Sequence, residues 1–136
     1  EAARKHANIH FHLGVKPDVV LDHTRSADVG FHLLSPDNLN HQLTLGNKPF
    51  EYLLAGIPFI ESDYTEGARF VRKTGCGWTV ETSVETILAK VNELDRAAVL
   101  EKKGVVLKVR NEYSWENESR QLAGCVSAMF NPKSGS

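Results

Sequence analysis

The run Thr44-Leu45-Gly46-Asn47-Lys48-Pro49-Phe50-Glu51 holds the residues best placed to do chemistry. A glycine just before a helix leaves backbone N–H groups free at the positive end of the helix dipole, which suits a phosphate. Pro49 fits the first turn, where its missing N–H costs nothing. Glu51 falls about one turn into the helix. On electrostatic grounds alone its default role is to stabilise the helix. The same carboxylate can also accept hydrogen bonds from two adjacent sugar hydroxyls.

Other chemistry-bearing residues have plainer readings. His10 and His12 alternate along one stretch, and with His32 they raise the thought of a metal site, because alternate strand positions share a face. No carboxylate or cysteine stands at ligand spacing nearby, so a solvated face is the preferred reading and no metal is expected. Asp22-His23 lacks a nucleophile or second base and reads as surface. Tyr64 and Glu66 stand where they could touch a ligand, with a surface loop as the default reading. Trp78 and Trp115 read as core anchors.

Several elements must position the 44–51 step. Residues 1–6 read as the end of a helix. Ile9, Phe11 and Leu13 alternate with polar residues, which predicts a strand with one solvated face at 8–13. Pro17 opens a short helix over 17–27. Val29, Phe31, Leu33 and Leu34 predict a second strand, and the polar stretch 35–42 a loop of functional length. The helix from Asn47 buries Phe50, Leu53 and Leu54 on one face and stops at Gly56. Residues 57–60 form a fully apolar strand, with Pro58 tolerable only near its start. Asp63 or Thr65 caps the next helix, which ends before Gly75. Residues 76–80 are the last strand. Ser83 caps a helix, and two more follow at 96–111 and 114–130, the last with Trp115, Leu122, Val126 and Met129 on one face.

This order predicts an α/β fold: an incomplete Rossmann-like parallel sheet of about four strands with flanking helices. Ligands on such sheets bind at the carboxyl ends of the strands, which places residues 14–16, 35–48 and 62–67 on one rim.

The 136 residues suffice for one domain, and 41% hydrophobic with 24% charged residues is a globular composition. A formal net charge of -1 gives no basic footprint for nucleic acid. Cys76 and Cys125 lack metal-type spacing and read as two reduced, buried thiols. No apolar run is long enough for a membrane span. The chain starts at Glu1, and Met129 is its single methionine, so the start reads as a cut. Residues 1–130 are expected to form the domain and 131–136 a flexible tail.

The string from Asn47 to Ile60, Asn-Lys-Pro-Phe-Glu-Tyr-Leu-Leu-Ala-Gly-Ile-Pro-Phe-Ile, resembles the signature of retaining glycosyltransferases of the GT-B, family-4-like group. Phe11-His12-Leu13-Gly14-Val15, Ser26-Ala27-Asp28-Val29, Gly75-Cys76-Gly77-Trp78 and Tyr113-Ser114-Trp115-Glu116 are similar to that group's flanking motifs, in order and spacing, over about residues 8–125.

The resemblance implies part of a C-terminal donor-binding domain. In it Glu51 holds the ribose hydroxyls of a nucleotide-sugar. Thr44, Leu45, Gly46, Asn47 and Lys48 face the diphosphate and sugar through their backbone, and Val15 lies by the nucleobase. It implies sugar transfer with retention, no metal cofactor, and a cytoplasmic parent enzyme, free or peripheral at the inner face of the membrane. An acceptor-binding N-terminal domain would be the missing partner, and these 136 residues alone would be inactive. No catalytic side chain is assigned. The group's first motif glutamate would stand eight residues before Glu51, where this chain has Leu43.

The resemblance also implies the sheet order 3-2-1-4-5-6. The strands at 28–34, 57–61 and 77–80 are then neighbours. Residues 8–13, without their natural partner, are expected to fill the place beside 28–34. A nucleotide-sugar epimerase of the same fold, or a non-catalytic nucleotide-sugar-binding module, are the alternative functions.

Overall fold

The computed structural model describes residues 6–130. The expected helix end at 1–5 and the expected tail at 131–136 lie outside them. Three strands, β1 (Gly30–His32), β2 (Phe59–Ser62) and β3 (Gly77–Val80), form a parallel sheet in the order β1-β2-β3. The sequence-expected neighbours are neighbours, with Phe31 opposite Ile60 and Ile60 opposite Trp78.

The fourth expected strand is absent. Residues 8–13 have no strand structure and pair with nothing in the sheet. They do not fill the place beside β1 that was expected of them. Phe11 and Leu13 are 83% and 92% exposed. Alternation marks a segment able to pair, but the ladder needs a partner whose N–H and C=O groups face it. The helix expected over 17–27 is shorter: a 3-10 turn at Pro17–Val19 leads into α1, which spans Val20–Thr24. The stretch 35–42, expected as loop, contains the start of a short helix, α2 (Leu39–Leu43), where the Asn38 side chain accepts from the Asn40 N–H.

The remaining elements follow local signals. Helix α3 (Lys48–Ala55) ends at Gly56, whose φ of 82° is left-handed and suits glycine. Pro58 stays just outside β2, where its carbonyl accepts from the Gly30 N–H at 2.9 Å. Thr65, not Asp63, caps α4 (Glu66–Thr74), with its hydroxyl accepting from the Ala68 N–H at 3.1 Å. Ser83 caps α5 (Val84–Glu93) in the same way. Asp95 caps α6 (Arg96–Val109), and α7 (Trp115–Phe130) closes the described chain. Among the described residues no helix is long and apolar enough to cross a membrane.

Strand pleat sorts the sheet residues into rows. Gly30, Phe59 and Gly77 form one row and His32, Glu61 and Thr79 another, both on the face that α3 and α4 cover. Leu53, Phe59, Phe70, Val71, Cys76 and Val106 make the buried core there. Phe50, Phe70 and Tyr113 stack beside it, with Phe70 and Tyr113 edge-to-face at 4.9 Å. Burying a side chain the size of Phe59 contributes roughly 1.5–3 kcal/mol. Two aromatic and thiol expectations fail. Trp115 is 73% exposed on α7 and anchors no core. Cys125 is exposed while Cys76 is buried.

A tightly packed glycine and an open one make a test. A Cβ on Gly77 would lie 2.1 Å from the Phe59 carbonyl oxygen, a backbone atom with nowhere to go. Gly77→Ala should therefore destabilise the fold by about 3 kcal/mol. Gly104→Ala, on α6 with nothing within 4 Å, should stabilise it by about 0.5–1 kcal/mol. Urea unfolding of both variants checks the pair. Equal effects would mean that this strand contact is not tight.

Candidate functional site

The carboxyl end of β1 meets the turn into α3. Gly46 has a φ of 62°, a left-handed value that L side chains avoid, and it turns the chain into the helix. Its N–H is held at 3.3 Å by the Thr44 hydroxyl, and Leu45 packs partly into the core. Asn47 precedes the helix without capping it through its side chain. The candidate residues from Thr44 to Glu51 thus form one continuous piece of rim. Val15 does not join them. It lines a shallow depression with His12, Leu13, His23, Thr24 and Ser26.

Glu51 and Lys48 face each other within the first turn of α3, with Nζ 2.5 Å from Oε2. The hydrogen bond to Glu51 is the main cause that raises the Lys48 pKa, against the opposing effect of burial. Lys48 is half exposed, so the pair adds little stability. A ligand hydroxyl would compete with this lysine for the carboxylate. Leu43 is 68% exposed, with no carboxylate in its place.

Sequence reasoning passed over the strongest polar cluster. Glu61 is fully buried near the end of β2, next in line after the apolar run 57–60. Its Oε2 lies 2.8 Å from Nδ1 of His32, the last residue of β1. Its Oε1 accepts from the Thr65 hydroxyl at 2.9 Å. Gly67 allows the carboxylate to sit there: a Cβ at that position would be 2.5 Å from Glu61 Cδ. Burial pushes the Glu61 carboxyl above its usual range, while the hydrogen bonds from His32 and Thr65 pull it back.

The ring of His32 in turn touches the candidate step. A Cβ on Gly46 would lie 3.2 Å from both Cε1 and Nε2 of that ring. The signal available in the sequence was register: a histidine and a glutamate, each at the carboxyl end of a strand expected to be adjacent. Among the described residues no three His, Cys, Asp or Glu side chains come together as a metal site. His32 pairs with Glu61 rather than with His10 and His12.

The segments behind the rim are also tied down. The Ser62 hydroxyl accepts from the Leu34 N–H at 2.8 Å, and the Tyr64 hydroxyl donates to the Leu34 carbonyl. Tyr52 on α3 donates to the Phe31 carbonyl at 2.9 Å, and burial raises its pKa. These bonds extend the pairing of β1 and β2 past the ladder itself.

Because its folded carboxyl holds a proton more tightly than in the unfolded chain, Glu61 makes stability fall as pH rises from the ordinary carboxylate range through the folded value. Glu61→Gln keeps a polar amide at the site and removes the charge. The variant should lose this part of the pH dependence. Glu61→Ala should instead cost about 1–3 kcal/mol for each buried group left unpaired. Denaturant unfolding across the acidic range checks both. A variant profile parallel to that of the parent would remove Glu61 from the linkage.

Comparison with known proteins returned no matching family model, no matching curated protein and no matching solved structure, so the site is read from its own geometry.

Proposed function

We propose that this chain is part of the donor-binding domain of a retaining glycosyltransferase that uses a nucleotide-sugar. One observation carries the reading. The glycine-led step into α3 stands at the carboxyl end of β1, a strand parallel to its neighbour β2, with Gly46 beside the ring of His32, the last residue of β1. That is where open α/β sheets bind ligands, and a helix start there favours phosphate oxygens.

In this reading the backbone of residues 44–48 cradles the diphosphate, and Glu51 takes the ribose hydroxyls. The work of the site is to hold donor and leaving group while charge develops on the phosphates. The diphosphate of the donor leaves from the same face that the acceptor attacks, and no metal is called for. The likeness of the 47–60 string to the family-4-like signature supports the choice of ligand. The exposed Leu43 favours a second reading, a nucleotide-sugar-binding module without transfer activity.

Calorimetric titration with a nucleoside diphosphate tests the donor site. Glu51→Gln should weaken binding by about 1.5–3 kcal/mol, the range for a hydrogen bond to a charged group. Unchanged affinity would return Glu51 to its pairing with Lys48. The 136 residues alone should bind donor but not transfer its sugar, because positioning of both substrates supplies much of the rate. Sugar transfer by the protein that carries this domain separates the transferase from the module.

A further inference from the structure

The His32–Glu61 pair has no part in the donor contacts proposed above, yet it is the most completely built polar feature of the rim. Nδ1 is committed to Glu61 at 2.8 Å. When that nitrogen donates to a carboxylate, the neutral ring presents a lone pair at Nε2, and only the imidazolium presents an N–H there. The His32 side chain is 13% exposed, against 0% for Glu61. Nε2 makes no hydrogen bond among the described residues, and none of their side-chain nitrogens or oxygens is sealed from solvent without a partner. The free edge of the ring therefore reaches the rim beside Gly46.

We propose that His32 takes a phosphate-type anion through Nε2, together with one proton, while Glu61 and Thr65 hold the ring in place. The charges then alternate: carboxylate, imidazolium, anion. Without the added proton the buried carboxylate would repel the ligand, so proton uptake and anion binding are linked. The proton comes from solvent and ends on Nε2. No bond in the ligand is broken.

Other groups frame the pair without replacing it. From α3 come Tyr52, whose hydroxyl is bound to the Phe31 carbonyl, and the paired Lys48 and Glu51. The buried Cys76 thiol precedes β3, and Asp63 and Tyr64 follow β2. Arg72 is engaged with the Asp63 carbonyl. The inference rests on the donor-site reading only for the identity of the phosphate compound.

Inorganic pyrophosphate is the probe, titrated calorimetrically into the 136-residue chain in two buffers of different ionisation heat. Expected are net proton uptake and binding that weakens as pH rises. His32→Asn keeps a donor near the Nδ1 position for Glu61 and has nothing at Nε2. It should bind about tenfold more weakly or worse, with the proton uptake gone. Parent-like affinity and uptake in this variant would overturn the proposal.

Should the variant fail to fold, ring nitrogen-15 spectra of the unaltered chain decide. The Nε2 signal of His32 moves on adding pyrophosphate if the proposal holds, and an unmoved signal overturns it, as does the absence of binding. A nucleoside diphosphate separates the two readings. If it binds no tighter than pyrophosphate while His32 responds, the anion site stands and the donor reading fails. If it binds with dependence on Glu51 while His32 stays silent, the donor reading stands and this inference falls.

Discussion

All four residues of β2 are buried, and that is the constraint on which the rim depends. A buried strand carries its polar groups away from water, and each must find a partner inside the protein. Phe59 and Ile60 bring only backbone groups, which the ladder satisfies on both sides. Glu61 and Ser62 bring side chains as well. Glu61 reaches back to β1 through His32 and forward to the cap of α4 through Thr65. Ser62 reaches Leu34 beyond the end of β1. One central strand thus fixes the segments on either side of it.

Thr65 shows how closely these demands are joined. Its hydroxyl donates to Glu61 and accepts from the Ala68 N–H, so one group serves the buried carboxylate and the start of α4 together. Gly67, the second residue of the same helix, provides the space for the carboxylate. The helix start and the acidic side chain are one packing solution, and a change at either propagates to the other.

Much of this was legible in the sequence because its signals are local. Ser83 and Thr65 announce helix starts, Gly56 and Gly75 announce left-handed stops, and the short apolar runs announce β1, β2 and β3 in their correct neighbourhood. What failed was non-local. The alternation at Ile9, Phe11 and Leu13 describes a segment fit for a sheet edge, but pairing needs a free and aligned neighbour, which periodicity cannot report. Trp115 begins a helix face with the right spacing for burial, yet nothing in the described chain covers it. The step from 44 to 51 turns at Gly46 into α3, while Val15 lines a depression with His12, Leu13, His23, Thr24 and Ser26. Glu61 lay inside the expected strand at 57–61, but a glutamate closing an apolar run carries no local sign that its side chain is buried, as those of Glu61 and Ser62 are.

The two acidic residues near the rim carry different weight for physical reasons. Glu51 is partly exposed and pairs with a lysine on its own helix, an arrangement that water and salt compete with freely. It is available to a ligand because little holds it. Glu61 is fully buried and bonded on both oxygens, so it is poorly placed to meet a ligand directly. Its influence at the rim must pass through the imidazole of His32, whose ring is the side chain that touches both the buried pair and the glycine opening α3. A site built this way separates two tasks. The exposed carboxylate can exchange partners at low cost, whereas the buried one fixes the orientation of a neighbouring ring and the charge that ring has to balance.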